Sequence, residues 1–110
     1  MTTADRDGQP AQPVHTPRRP IWLCRICAVD WPCLTARSLL TIEYVNDPIA
    51  LHVYLASMLQ DAMDDLHLLN PNPGPDPARM YARFLGWPKP RLEIARARLR
   101  DRQPPPASGG

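Results

Sequence analysis

Four side chains with affinity for soft or borderline metal ions fall in one short run, HTPRRPIWLCRICAVDWPC: His15, Cys24, Cys27 and Cys33. The cysteines are spaced C-x2-C-x5-C and are the chain's only three. Thiolates and imidazole are ligands of tetrahedral zinc, and Cys3His is a common structural set. A two-residue spacer lets one tight turn present Cys24 and Cys27 to the same ion, and five further residues let Cys33 loop back. His15 must arrive on the preceding arm. Pro17 and Pro20 stiffen that arm toward extended backbone, which lowers the entropy lost in bringing the imidazole to the sulfurs. Trp22 and Trp31 flank the cysteines and would shield thiolates from water. The predicted metal ligands are therefore His15, Cys24, Cys27 and Cys33, with zinc as the ion. The spacing leaves alternatives open. The cysteines can serve as small buried hydrophobes beside an unattached His15. The fourth ligand can be Asp30, His52 or His67, or the group held can be an iron–sulfur cluster.

These residues carry two resemblances. Over ten residues, the cysteine spacing is similar to that of the WhiB-like iron–sulfur regulators, whose fourth ligand is an upstream cysteine. Here His15 would take that place, and the downstream glycine–tryptophan turn of that family is absent. This resemblance implies an iron–sulfur cluster in a redox-sensing regulator that contacts DNA or a sigma factor. A broader pattern joins His15, Arg19-Pro20-x-Trp22-x-Cys24, Trp31-Pro32-Cys33-x2-Ala36-Arg37 and a late Phe84-Leu85-Gly86-Trp87. It resembles a family of small actinobacterial proteins over residues 15–87. Some members carry a flavin reductase label, which implies flavin and an oxidoreductase or its accessory.

The motifs of common catalysts are missing. The sequence holds no G-x-S-x-G, no phosphate-cradling glycine loop and no dinucleotide fingerprint. Gly74 and Gly86 are the only glycines between residues 9 and 108, whereas flavin or nicotinamide phosphates need close backbone approach. No catalytic residue is predicted. Asp61, Asp64 and Asp65 read as a solvated helix face. His52 and His67 share a helix but stand about 22 Å apart, too far for one ion. Met58 and Met63 read as core packing.

A chain of 110 residues has room for one domain. A core confined to residues 15–88 is small enough to need a staple, either a metal or a partner. Arginine outnumbers lysine twelve to one, a bias that suits a GC-rich genome. The net charge of +2 conceals segregation. Between Ser38 and Ala78 stand six acids and no lysine or arginine, whereas Lys89–Arg102 holds six basic residues against Glu93 and Asp101. Such polarity favours a protein partner or a homodimer. Arg91, Arg96, Arg98, Arg100 and Arg102 are the candidate contacts for an acidic partner or for nucleic-acid phosphates, although no aromatic platform accompanies them. Residues 1–14 lack the apolar core of a signal peptide, and no stretch approaches a bilayer span. No membrane partner is expected, and the expected location is cytoplasmic.

The elements that must position the cluster read as mainly α: a small helical domain of three to four helices with an N-terminal metal-knuckle-like segment. Residues 1–14 form an expected disordered leader, and 15–88 a single domain with its knuckle at 15–33. Residues 89–102 form a basic helix and 103–110 a disordered tail. Thr35 is the predicted cap of a helix over 36–45, with Leu39, Leu40 and Tyr44 apolar and Asn46 ending it. Asp47-Pro48 predicts a helix to about Leu69, its stripe Leu51, Leu55, Met58, Ala62, Leu66 and Leu69. Asp76-Pro77 starts a short helix through Phe84, and Gly86 is expected as a left-handed cap. Pro88 and Pro90 should block continuation, with a last helix over 91–102 carrying Leu92, Ala95 and Leu99 on one face. The expected function is that of a small zinc-knuckle interaction or accessory regulatory module.

Overall fold

A computed structural model describes residues 14–102; the tail expected at 103–110 and all but the last residue of the leader lie outside the described residues. Two short strands, β1 (Pro17–Arg18) and β2 (Leu23–Cys24), pair antiparallel and precede four helices. These are α1 (Leu34–Glu43), α2 (Pro48–Leu69), α3 (Pro77–Leu85) and α4 (Pro88–Arg102). The architecture is mainly α with an N-terminal knuckle, as the residue pattern predicts. Among the described residues no helix is long and apolar enough to cross a membrane.

The two Asp-Pro starts behave alike. Asp47 Oδ1 accepts from the Ala50 N–H at 3.1 Å, and Asp76 Oδ2 from the Arg79 N–H at 3.1 Å. Each carboxylate satisfies a backbone donor that the first turn leaves orphaned. On α2, Leu51, Leu55 and Ala62 are buried, while Met58 and Leu66 pack partly buried against the core. The stripe fails at its end, where Leu69 is exposed. α2 packs on α3, and α4 packs on α1 and α2.

The centre of the core comes from the knuckle as much as from the helices. Trp22 and Trp31 are fully or almost fully buried, and both meet Phe84 of α3, at ring-centroid distances of 5.8 and 6.0 Å. The tilted and edge-on ring geometries are those aromatic quadrupoles favour. The knuckle and the helical domain therefore share one core.

Three boundaries differ from the sequence reading. α1 begins at Leu34, with Cys33 as its N-cap in place of Thr35: the Cys33 Sγ accepts from the Ala36 N–H at 3.4 Å. With the helix ending at Glu43, Leu39 faces solvent, and Ala36 and Thr41 take the buried side. Gly86 is right-handed (φ −86°, ψ −12°), not left-handed. A Cβ there would lie 2.8 Å from the Ala82 carbonyl oxygen, so the constraint is close approach, not positive φ. Pro88 and Pro90 open α4 instead of delaying it. In a first turn the missing N–H costs nothing, because helical partners are absent there anyway.

Candidate metal centre

The β1–β2 pairing sets the site. Pro17 lies opposite Cys24 and Arg18 opposite Leu23, which brings the His15 arm alongside the first cysteine. The Arg25 N–H donates to the Thr16 carbonyl at 2.9 Å, and the Trp31 indole Nε1 donates to the His15 carbonyl at 2.9 Å. The chain then closes a tight loop. Cys24 N donates to Val29 O at 2.7 Å, and Ala28 N donates to Cys24 O at 2.9 Å. Ala28 takes the left-handed φ of 60° that this closure needs, at a cost of about 1–2 kcal/mol for a residue with a Cβ.

The geometry that results is specific. His15 Nδ1 stands 3.4 Å from the Sγ of Cys24, of Cys27 and of Cys33. All four donor atoms lie within 4.8 Å of one another, and the cysteines are free thiols, not disulfides. Bonds of about 2.3 Å to sulfur and 2.0–2.1 Å to nitrogen around a tetrahedral ion place N and S about 3.5 Å apart. The four residues therefore fit a single metal ion, and they are the four the sequence nominates. Cys24 and Cys33 are buried, His15 is half-buried and Cys27 is exposed.

The electrostatics of the cluster favour a cation. Burial pulls the Cys24 thiol upward. The Cys27 and Ile26 N–H groups, both 3.4 Å from its Sγ, outweigh burial together with His15 and Cys33 and bring it to about 6. Desolvation, then the neighbouring sulfurs of Cys33 and Cys24, push Cys27 up to about 11. Three thiolates this close repel one another, and a bound divalent ion supplies the charge that allows all of them to deprotonate.

The other ligands considered from sequence stay apart from this cluster. Asp30 faces Arg83 at 3.9 Å. His52 lines a groove between α2 and α4, and His67 sits near Gly74 at the far end of α2. The basic residues of α4 do not enter the cluster either: Arg91 is half-buried and donates to Ser38 Oγ at 3.4 Å, while Arg96, Arg98, Arg100 and Arg102 are exposed.

Two arginine clamps hold the knuckle to the helices, and sequence reasoning missed both. Arg83 of α3 donates from Nε to the Trp31 carbonyl and from Nη2 to the Trp22 carbonyl, each at 2.8 Å. Burial lowers its pKa, and nearby Asp30 partly opposes this. In the other direction, Arg19 grips Asp65 of α2, with Nε to Oδ2 at 2.7 Å and Nη2 to Oδ1 at 3.2 Å. Trp22 Nε1 donates to the same Oδ2 at 2.8 Å. Hydrogen bonds from Arg19 and then Trp22 hold the Asp65 carboxyl below its ordinary range. Asp65 is thus no part of a solvated face. A signal was present: Asp65 falls three residues after Ala62, on the apolar stripe, where a charge needs a partner.

No protein-family model, curated protein or solved structure matches the chain.

Proposed function

We propose that this chain is a small protein with a structural zinc knuckle, serving as an interaction or accessory regulatory module in the reducing environment of a cytoplasm. One observation carries the reading: the equal 3.4 Å separation of His15 Nδ1 from three sulfurs. Four protein donors fill a tetrahedral sphere and leave no open position for substrate or water, the mark of a structural site and not a catalytic one. The compact donor set favours one ion over an iron–sulfur cluster, whose thiolates bind separate irons and must spread wider. Metal at this point would join the His15 arm to Cys33, and through Cys33 to the start of α1. Free thiols suit a reducing compartment.

The test is elemental analysis with an absorption spectrum on full-length protein purified without air or chelator. One zinc per chain and no visible band are expected, with loss of metal and a lower melting temperature in Cys24→Ser. Iron with a broad visible absorption would replace zinc by a cluster. Flavin bands would favour the oxidoreductase. Metal-free, colourless protein with an unaltered Cys24→Ser melt would return the cysteines to plain packing.

A further inference from the structure

α1 and α4 leave a groove between them with an aliphatic stripe and polar edges. One part, about 420 Å³, is lined by Ser38, Thr41 and Ile42 of α1 and Ile94 and Ala95 of α4; an adjoining part, about 260 Å³, adds Val45 and Leu99. Ile42 is 68% exposed and Ile94 53%, so two β-branched side chains face water side by side. Arg91, Arg98 and Arg102 stand along the same lining, and no acidic residue does. The ion pairs among the described residues join Arg19 to Asp61 and Asp65 and Arg83 to Asp30, so these rim arginines have no carboxylate partner there.

We propose that this groove receives an acidic amphipathic helix of a partner protein. The inference rests on the reading of the chain as an interaction module and gives that module its partner chemistry. The aliphatic floor takes the apolar stripe of a helix at i, i+3, i+4 and i+7, and the arginine rim takes flanking carboxylates. Arg91 to Arg102 spans about 16 Å, enough for about three turns of docked helix. A second copy fits poorly, because a two-fold interface through this groove would set each arginine rim against its own image. Residues 103–110, QPPPASGG, carry neither a charged nor a large apolar side chain to fill it. Nucleic acid would be served by stacking aromatics, and the floor is aliphatic.

The experiment uses full-length protein purified without air or chelator and a fluorescein-labelled helical peptide of about fourteen residues, leucine at i, i+3, i+4 and i+7 and glutamate elsewhere. Anisotropy and amide chemical shifts are recorded together. Saturable binding is expected, with shifts confined to residues 38–45 and 91–102. Arg98→Glu, at the one arginine that lines both parts, should weaken it about tenfold or more, and Ile42→Asp should remove it. Arg100→Glu, a like charge change outside the groove lining, should leave it within about twofold. No saturable binding would overturn the inference, as would equal loss in Arg100→Glu or tighter binding of single-stranded DNA through the same arginines. A dimer broken by Ile42→Asp would also overturn it. The metal content of each sample separates the two readings. A metal-free chain that still takes the peptide sinks the knuckle alone; a zinc-loaded chain that refuses it sinks the groove alone.

Discussion

The indole N–H of Trp31 donates to the backbone carbonyl of His15 at 2.9 Å. Trp31 is 2% exposed and packs against Phe84, so this one hydrogen bond fastens the candidate ligand His15 to the core of the helical domain. Trp31→Phe keeps an aromatic ring, smaller than the indole, and removes the donor. Metal affinity should fall about 10- to 100-fold, as for other groups that orient ligands from behind. Competition with a chromophoric chelator measures it; unchanged affinity would mean that the β1–β2 pairing alone positions His15.

Arg83 bridges the carbonyls of Trp22 and Trp31. Arg83→Met should cost about 2–4 kcal/mol in denaturant unfolding, since two part-buried acceptors lose their donors together. Arg83→Lys should recover little of it, because a point ammonium lacks the planar fork that reaches both oxygens.

Asp65 gives a pH prediction with a definite sign. Its pKa is lowered from 3.8, by Arg19 first and Trp22 second. A depressed folded pKa means that the pairing stabilises the fold above the ordinary carboxylate value. That contribution is lost as pH falls from about 4 through the lower folded pKa. Asp65→Asn should be less stable at neutral pH, and its deficit should shrink in acid. The comparison is made between two metal-free proteins throughout, because protonated thiols release a divalent ion over this acid range. A constant difference down to pH 2 would show that the Arg19 pairing contributes no charge-dependent stability.

Substitution can separate the cap at Cys33 from its proposed ligand role. Its Sγ accepts from Ala36 N as N-cap and stands 3.4 Å from His15 Nδ1 in the candidate metal cluster. Cys33→Ser and Cys33→Ala should both lose metal. Serine caps helices well, so the serine variant should be more stable than the alanine variant by about 1 kcal/mol in metal-free unfolding. Equal stabilities would mean that the sulfur cap contributes nothing to α1.

Residue types and near-neighbour spacing by themselves named the donor set His15, Cys24, Cys27 and Cys33. The same local chemistry placed α2 and α3, because an Asp-Pro pair acts within its own first turn. What tertiary structure decided lies in long-range partners. Arg19 meets Asp65 across 46 residues, and Arg83 meets Trp22 across 61. A sequence written residue by residue shows a charge on an apolar stripe but not which distant arginine will neutralise it. The start of α1 belongs to the same class: Thr35 is the better cap by propensity, yet the loop that carries Cys33 to His15 sets the backbone direction and makes the sulfur the cap. Gly86 and Pro88 depart from the sequence expectation for a related reason. Their residue types permit several backbone states, and only the packing of Trp87 and Leu92 into the shared core selects the one that joins α3 to α4.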